Sequence, residues 1–332
     1  MNQQILLKSR PIGKPTSGNF EIVVAPVVLL KDGELLVKAR YVSVDPYMRG
    51  RMSDAKSYAP PFELGKAIEG GVVAEVTESR HPNFVVGDAV FAPMKWQELQ
   101  TIAADKVTKL VKNTTPLSYY LGILGMPGLT AYFGLLEIGK PVAGETLVIS
   151  GAAGAVGTVV GQIARIKGCR VVGITGSDNK KAFLQNELKF DEVINYRSTK
   201  NMEDAIAKAC PNGVDIYYDN VGGEISDAVF TNINKYARII ICGQISLYNN
   251  TKMPVGPRPQ AIILKKSALI QGFIVSNYAA RFPEGVMQLT QWLNEGKLTY
   301  QETIIKGFDK LPEAFIGLFE GRNTGKMLVE IE

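Results

Sequence analysis

At 332 residues the chain is long enough for two domains of ordinary size, and its 46% hydrophobic and 21% charged content is that of a globular protein. The net charge of +5 is mild and spread along the chain, so it suits an anionic small ligand and gives no basic block for nucleic acid. One histidine, His81, and three cysteines, Cys169, Cys210 and Cys242, without CxxC spacing, disfavour zinc sites and serine hydrolysis. A Ser–His–Asp triad would have to use His81, which lies in Ser79-Arg-His-Pro-Asn83 with no GxSxG elbow. The scattered cysteines predict no disulfide framework and a reducing cytoplasm. Redox chemistry carried by a bound cofactor needs none of these side chains.

In chain order, the first ten residues carry Lys8 and Arg10 with no apolar run after them, so neither a signal peptide nor an anchor is expected. Residues 1–125 read as short strands at 19–25, Glu34–Ser43, 70–76 and 88–92, with turns such as Val86-Gly-Asp88 between them. That pattern predicts a small β barrel or sandwich. Asp45-Pro-Tyr-Met-Arg-Gly-Arg-Met52 interrupts it and reads as either a structural turn or a wall of a substrate cleft, with Tyr47 as its aromatic group. The run 113–136 has no charge, but Pro116, Pro127 and four glycines break it. Two short buried helices joined at 126–128 fit it better than a membrane span, which needs ~20 predominantly apolar residues.

From about residue 126 strands and helices alternate. Thr146-Leu-Val-Ile-Ser-Gly-Ala-Ala-Gly-Ala-Val-Gly157 is an apolar strand running into three glycines, and 158–167 reads as a helix. Gly151, Gly154 and Gly157 fit a tight turn whose backbone N–H groups approach a pyrophosphate, where a Cβ would stand in the way. The spacing is GxxGxxG, which alone also fits a glycine turn with no ligand. Further strands are expected at Arg170–Thr175, Glu192–Asn195, Val214–Asp219, 238–242 and 269–275. Helices are expected at 179–188, 202–210, 223–236 and 285–293. This alternation calls for an α/β domain with a doubly wound parallel sheet, whose ligands lie at the carboxyl ends of its strands. Residues 246–259 read as an ordered loop near the site. The tail, with strands at 300–305 and 326–331 around a helix near 312–321, is expected to rejoin the first domain. The boundaries are thus 1–125 completed by 298–332, and 126–297.

The second strand ends in Thr175-Gly-Ser-Asp-Asn-Lys180, followed by Lys181. A small neutral end with cations beside it accommodates a 2′-phosphate, which indicates NADP(H). Asp178 leaves the other choice open, since a carboxylate there accepts from a ribose 2′-OH.

Five motifs together resemble the zinc-independent medium-chain dehydrogenase/reductases, within them the leukotriene B4 12-hydroxydehydrogenase/prostaglandin reductase group. They are the Asp45–Met52 segment, Leu124-Gly-Met-Pro-Gly-Leu-Thr-Ala131, Gly151-Ala-Ala-Gly-Ala-Val-Gly157, Asp219-Asn-Val-Gly-Gly223 and Cys242-Gly-Gln-Ile-Ser-Leu-Tyr-Asn249. The resemblance implies a GroES-like β-barrel catalytic domain plus a Rossmann domain, with the cofactor in the cleft between them. Where zinc-dependent relatives carry Gly-His-Glu, this chain has Gly65-Lys-Ala-Ile-Glu69, so no metal is expected. By resemblance, Gly154, Ala155, Val156 and Gly157 hold the pyrophosphate, and Lys180 and Tyr196 the 2′-phosphate end. Asn220, Cys242, Gly243, Tyr248, Phe273, Ile274 and Val275 line the nicotinamide half, and Asn323 reaches the cofactor from the tail.

The implied activity is reduction of the carbon–carbon double bond of α,β-unsaturated ketones and aldehydes, by a homodimer. Tyr248 is the expected hydrogen-bond donor to the forming enolate, with the cofactor ribose or water as the alternative. Tyr47 is a substrate wall. A quinone oxidoreductase on the same fold and a non-catalytic NADPH-binding module are the rival readings.

Overall fold

A computed structural model describes residues 2–111 and 115–332, in two compact units. One unit comprises residues 122–301 and 324–326, and the other 1–121, 302–323 and 327–332.

The first of these holds a six-stranded parallel sheet. Its strands are β1 (Thr146–Ser150), β2 (Arg170–Thr175), β3 (Glu192–Asn195), β4 (Val214–Asp219), β5 (Ile233–Ile241) and β6 (Leu269–Gly272), in spatial order 3-2-1-4-5-6. Every residue of β1 is buried, as a strand covered on both faces requires. Helices Gly157–Ile166, Asp178–Asn186, Met202–Ala209 and Gly223–Phe230 make the crossovers. Ser177 and Asn201 cap the second and third by accepting from the backbone N–H three residues on. The helix after β1 buries Val159, Val160, Ile163 and Ala164, and it comes close because Gly161 lies beneath the Phe190 ring. The strand order reverses between β1 and β4, which opens a crevice at their carboxyl ends.

Three boundaries differ from the sequence reading. The helix expected over 223–236 ends at Phe230, where the Thr231 hydroxyl and the Asn232 amide both donate to the Ala228 carbonyl. Such side chains compete for the carbonyls of the last turn. β5 therefore starts early, at Ile233, and slips register against β4 through a segment in which Tyr236 has φ 65°. β6 stops at Gly272 and a 3-10 turn, Val275–Arg281, follows it. Of the uncharged run, residues 113 and 114 lie outside the described residues. The rest forms a 3-10 turn at Leu117–Leu121 and an α-helix at Met126–Phe133 that widens into a π-helical segment, Gly134–Gly139. Among the described residues no helix is long and apolar enough to cross a membrane.

The other unit is a wrapped antiparallel sheet, where the small barrel was expected. Strand Glu34–Ser43 is its hub: one edge pairs with Glu69–Ser79, and the other is shared between Leu99–Ala103 and Lys326–Glu330. A core including Ile5, Val37, Met48, Trp96 and Phe315 lies within it. The tail adds Glu302–Lys306 and Lys326–Glu330 to this sheet. Strands Gln3–Leu7, Leu99–Ala103 and Thr108–Lys109 had no clear periodicity in the sequence. The Asp45–Met52 segment contains a helical turn, Met48–Arg51, pinned by the buried Met48 and Met52.

A Cβ at Gly161 would lie 2.0 Å from the Phe190 ring, so Gly161→Ala should destabilise the protein. Overpacking of this kind costs about 1–3 kcal/mol. Thermal unfolding should show a lower Tm, partly restored by adding Phe190→Leu; an unchanged Tm in the single variant contradicts this packing.

Candidate active site

The crevice is built around the ends of β1 and β4. After Ser150 the chain turns at Gly151 (φ 61°), and the Gly154 N–H donates to the Gly151 carbonyl at 3.0 Å. A Cβ on Gly157 would lie 2.5 Å from the Gly151 oxygen and 2.7 Å from the Ala152 Cα, so only glycine lets the helix start this close to the turn. Gly154, Ala155 and Val156 remain half-exposed at its mouth. A second strap holds the turn from the tail: the Gly325 N–H donates to the Ala153 carbonyl at 2.8 Å. Gly325 has φ 69°, and a Cβ there would meet the Gln301 carbonyl oxygen.

Asp219, at the end of β4, is 2% exposed and gathers the surrounding groups. Its carboxylate accepts from the hydroxyls of Ser150 (2.9 Å), Tyr217 (2.9 Å) and Ser226, and from the backbone N–H groups of Val221 (3.0 Å) and Gly222 (2.9 Å). Asn220 is tied to the glycine turn, its amide donating to the Ser150 carbonyl at 2.8 Å. The Asp219 carbonyl takes the N–H groups of Cys242 and Gly243 at 2.9 and 3.0 Å, which brings in the end of β5. The sequence reading quoted Asp219 within a motif but gave the site role to Asn220, although an acid closing a buried strand is itself a signal that it must be satisfied.

Residues 243–250 fold back over this platform. The Ser246 N–H donates to the Val221 carbonyl at 3.1 Å, and the Gln244 N–H donates to the Tyr248 phenol oxygen at 3.2 Å. That bond occupies an acceptor position and leaves the phenol proton to donate. Burial raises the Tyr248 pKa above the ordinary tyrosine value, so the group is neutral at pH 7. The Cys242 thiol is pushed up to about 12 by desolvation and stays protonated. Phe273 closes the last strand end. Its ring turns inward against Gly134 and Tyr278, leaving Ile274 and Val275 half-exposed after the strand end.

At the end of β2, the Tyr196 ring packs on Gly176, where a Cβ would come within 2.8 Å of its hydroxyl. Asp178, the acid that left the cofactor choice open, accepts from the Asn195 amide at 2.8 Å. Lys180 is half-buried, and its pKa is lowered by desolvation and then by the positive charge of Arg197. Two cations that influence one another in this way suit an anion at this end of the sheet. Arg197 had been overlooked because it lies 17 positions beyond Lys180, and only the β2–β3 pairing brings it near. The glycine cradle and this cation pair fit a dinucleotide with a 2′-phosphate.

Tyr47 and Asn323 belong to the other unit. Tyr47 precedes the helical turn of that unit, and Asn323 stands just before the tail residues that strap the glycine turn.

Comparison with known proteins agrees with this geometry. The family profile described as the N-terminal domain of oxidoreductase matches residues 3–110, and that described as zinc-binding dehydrogenase matches 155–292. The chain is 54% identical over 331 residues to the putative NADP-dependent oxidoreductase YfmJ of Bacillus subtilis, covering 99% of this chain and 97% of that one. It is 43% identical to the NADPH-dependent curcumin reductase of Escherichia coli, with the same coverage. It is an enzyme of the zinc-independent medium-chain dehydrogenase/reductase family. A solved relative, CurA of Vibrio vulnificus in complex with NADPH, superposes with a TM-score of 0.95 at 46% identity over 99% of both chains. The word zinc in the second profile describes that wider family. Among the described residues no group of three or more His, Cys, Asp or Glu side chains could hold a metal ion.

Replacing either cation should separate the two nicotinamide dinucleotides. Lys180→Ala and Arg197→Ala should each weaken NADPH binding about tenfold, the scale of one charge-assisted hydrogen bond, and leave NADH nearly unaffected. Fluorescence titration checks this, and equal losses for NADPH and NADH would remove the 2′-phosphate assignment.

Proposed function

We propose that this NADP-dependent oxidoreductase reduces the carbon–carbon double bond of α,β-unsaturated ketones and aldehydes. The observation that carries the reading is the neutral Tyr248 phenol, which receives the Gln244 N–H on its oxygen at the strand ends and keeps its own proton to donate. The relationship to an NADPH-dependent curcumin reductase supports it.

In this reading Gly154, Ala155, Val156 and Gly157 hold the pyrophosphate, and Lys180, Tyr196 and Arg197 the 2′-phosphate end. Asn220, Cys242, Gly243, Phe273, Ile274 and Val275 border the nicotinamide half, Phe273 through its backbone, and Asn323 completes the site from the tail. NADPH, when bound, supplies hydride to the β carbon of the substrate. Charge then moves onto the carbonyl oxygen, where Tyr248 donates a hydrogen bond, and the α carbon takes up a proton. A preorganised neutral donor needs no change of its own charge to stabilise that oxyanion. Tyr47 forms a wall against the substrate. Residues 126–297 serve as the nucleotide domain, and 1–125 with 298–332 as the catalytic domain.

The free thiols Cys169, Cys210 and Cys242 support a cytoplasmic setting. The mostly exposed β6, at the end of the parallel sheet, supports a homodimer that covers this edge. Light scattering should return a dimer mass, and Ile270→Pro should give monomer; a monomer in the unaltered protein contradicts the assembly.

Tyr248→Phe should lower kcat on trans-2-alkenals about 10²-fold or more, the range of a lost acid–base contribution, while NADPH affinity changes little. Because burial raises the phenol pKa, the proton is retained as pH rises. Activity should hold through neutral pH and fall only above the ordinary tyrosine range, and the alkaline fall should vanish in Tyr248→Phe. An unchanged kcat would return the donor role to the cofactor ribose or water. Turnover of quinones alone, with no turnover of enones, would remove the substrate assignment.

A further inference from the structure

After the last strand of the parallel sheet, the chain from Phe273 to Arg281 packs against the helix Met126–Phe133 and its π-helical continuation, and it is fastened there at three points. At the first, the Phe273 ring fills the space over Gly134, where a Cβ would lie 2.5 Å from the ring edge. At the second, Tyr278 stacks on Phe133, with ring centres 4.9 Å apart and planes inclined by 2°. At the third, Arg281 closes the 3-10 turn that begins at Val275. Its Nη1 pairs with Glu137 of the π-helical segment at 2.8 Å. Its Nε and Nη2 donate to the two carboxylate oxygens of Glu284, on the following helix Phe282–Asn294, at 2.8 and 2.9 Å. Its guanidinium carbon stands 5.4 Å from the centre of the same Phe133 ring. Glu284 also accepts from the Tyr132 hydroxyl at 3.1 Å, which ties the arrangement back to the helix that carries Phe133.

Runs of 3-10 structure beyond about three or four residues are uncommon because their hydrogen bonds are poorly aligned, so the seven-residue run here needs support from outside. A planar fork meets two carboxylates and a ring face at once, which a compact ammonium does not. Ile274 and Val275 lie between the first and second points and are half-exposed. We infer that Arg281 is a positioning residue for the cofactor: by fastening the end of this turn to Glu137, Glu284 and Phe133, it sets how firmly Ile274 and Val275 stand against the nicotinamide. The inference rests on the proposal that these two residues border the nicotinamide half. Arg281 itself touches neither cofactor nor substrate in this account and acts through the backbone of 275–281.

Two readouts test it, and neither depends on turnover. Within the turn the Asn277 N–H donates to the Ile274 carbonyl at 2.9 Å, so hydrogen exchange across 275–281 reports its opening. Arg281→Met, which keeps the apolar stem, should speed that exchange about fivefold in the protein without cofactor, as local opening becomes easier. In calorimetric titration the same variant should weaken NADPH binding about fivefold, the upper end of what a surface ion-pair arrangement is worth. Adenosine 2′,5′-bisphosphate, which carries the 2′-phosphate and no nicotinamide, should bind as tightly as it does to the unaltered protein. Arg281→Lys should fall between the two. Unchanged exchange in Arg281→Met overturns the inference, and so do equal losses for NADPH and the bisphosphate, which would mark a general loosening of the fold.

Val275→Ala separates the two possible failures. If it weakens NADPH relative to the bisphosphate and Arg281→Met does not, the role of Arg281 is overturned and the placement of Val275 stands. If neither variant separates the two ligands, the placement of Val275 fails and the inference falls with it.

Discussion

A carboxylate removed from water at the crossover of the parallel sheet is the constraint on which the site depends. Asp219 is buried at the end of β4, where an unsatisfied charge would cost several kcal/mol. Three hydroxyls and two backbone N–H groups converge on it. Satisfying it fixes the Ser150 side chain, which accepts the Asn220 N–H and so holds β1 and β4 in register where the strand order reverses. The backbone carbonyl of the same residue takes the first two amides after β5. The glycine turn, the Asn220 loop and the start of the Tyr248 loop are therefore positioned by one residue that itself has no reason to touch a ligand.

The ionisable groups around this platform are kept in states that suit hydride chemistry without a metal. Burial leaves Tyr248 and Cys242 protonated and uncharged. The positive charge stands instead just past the ends of β2 and β3, in Lys180 and Arg197. Charged side chains and neutral, protonated ones thus stand at different strand ends.

Much of the fold was legible in the sequence because it rests on local rules. Apolar β-branched runs alternating with amphipathic segments imposed a parallel sheet, and the three glycines marked where β1 meets its helix. The boundaries that slipped did so where side chains overrode propensity, as Thr231 and Asn232 did at the end of one helix. Groups united only by folding were not legible. Arg197 joins Lys180 through strand pairing, Gly325 reaches the glycine turn from nearly 170 residues away, and Asp219 gathers partners from three segments. The packing of the Phe273 ring into the space at Gly134 was likewise not legible.

The central claim is that hydride reaches the β carbon of an enone. The most direct measurement follows deuterium from NADPH labelled at the transferred position of C4 into trans-2-pentenal, with the product examined by NMR. The account predicts pentanal carrying deuterium at C3 and none at C1. Deuterium at C1, in an allylic alcohol, would contradict it.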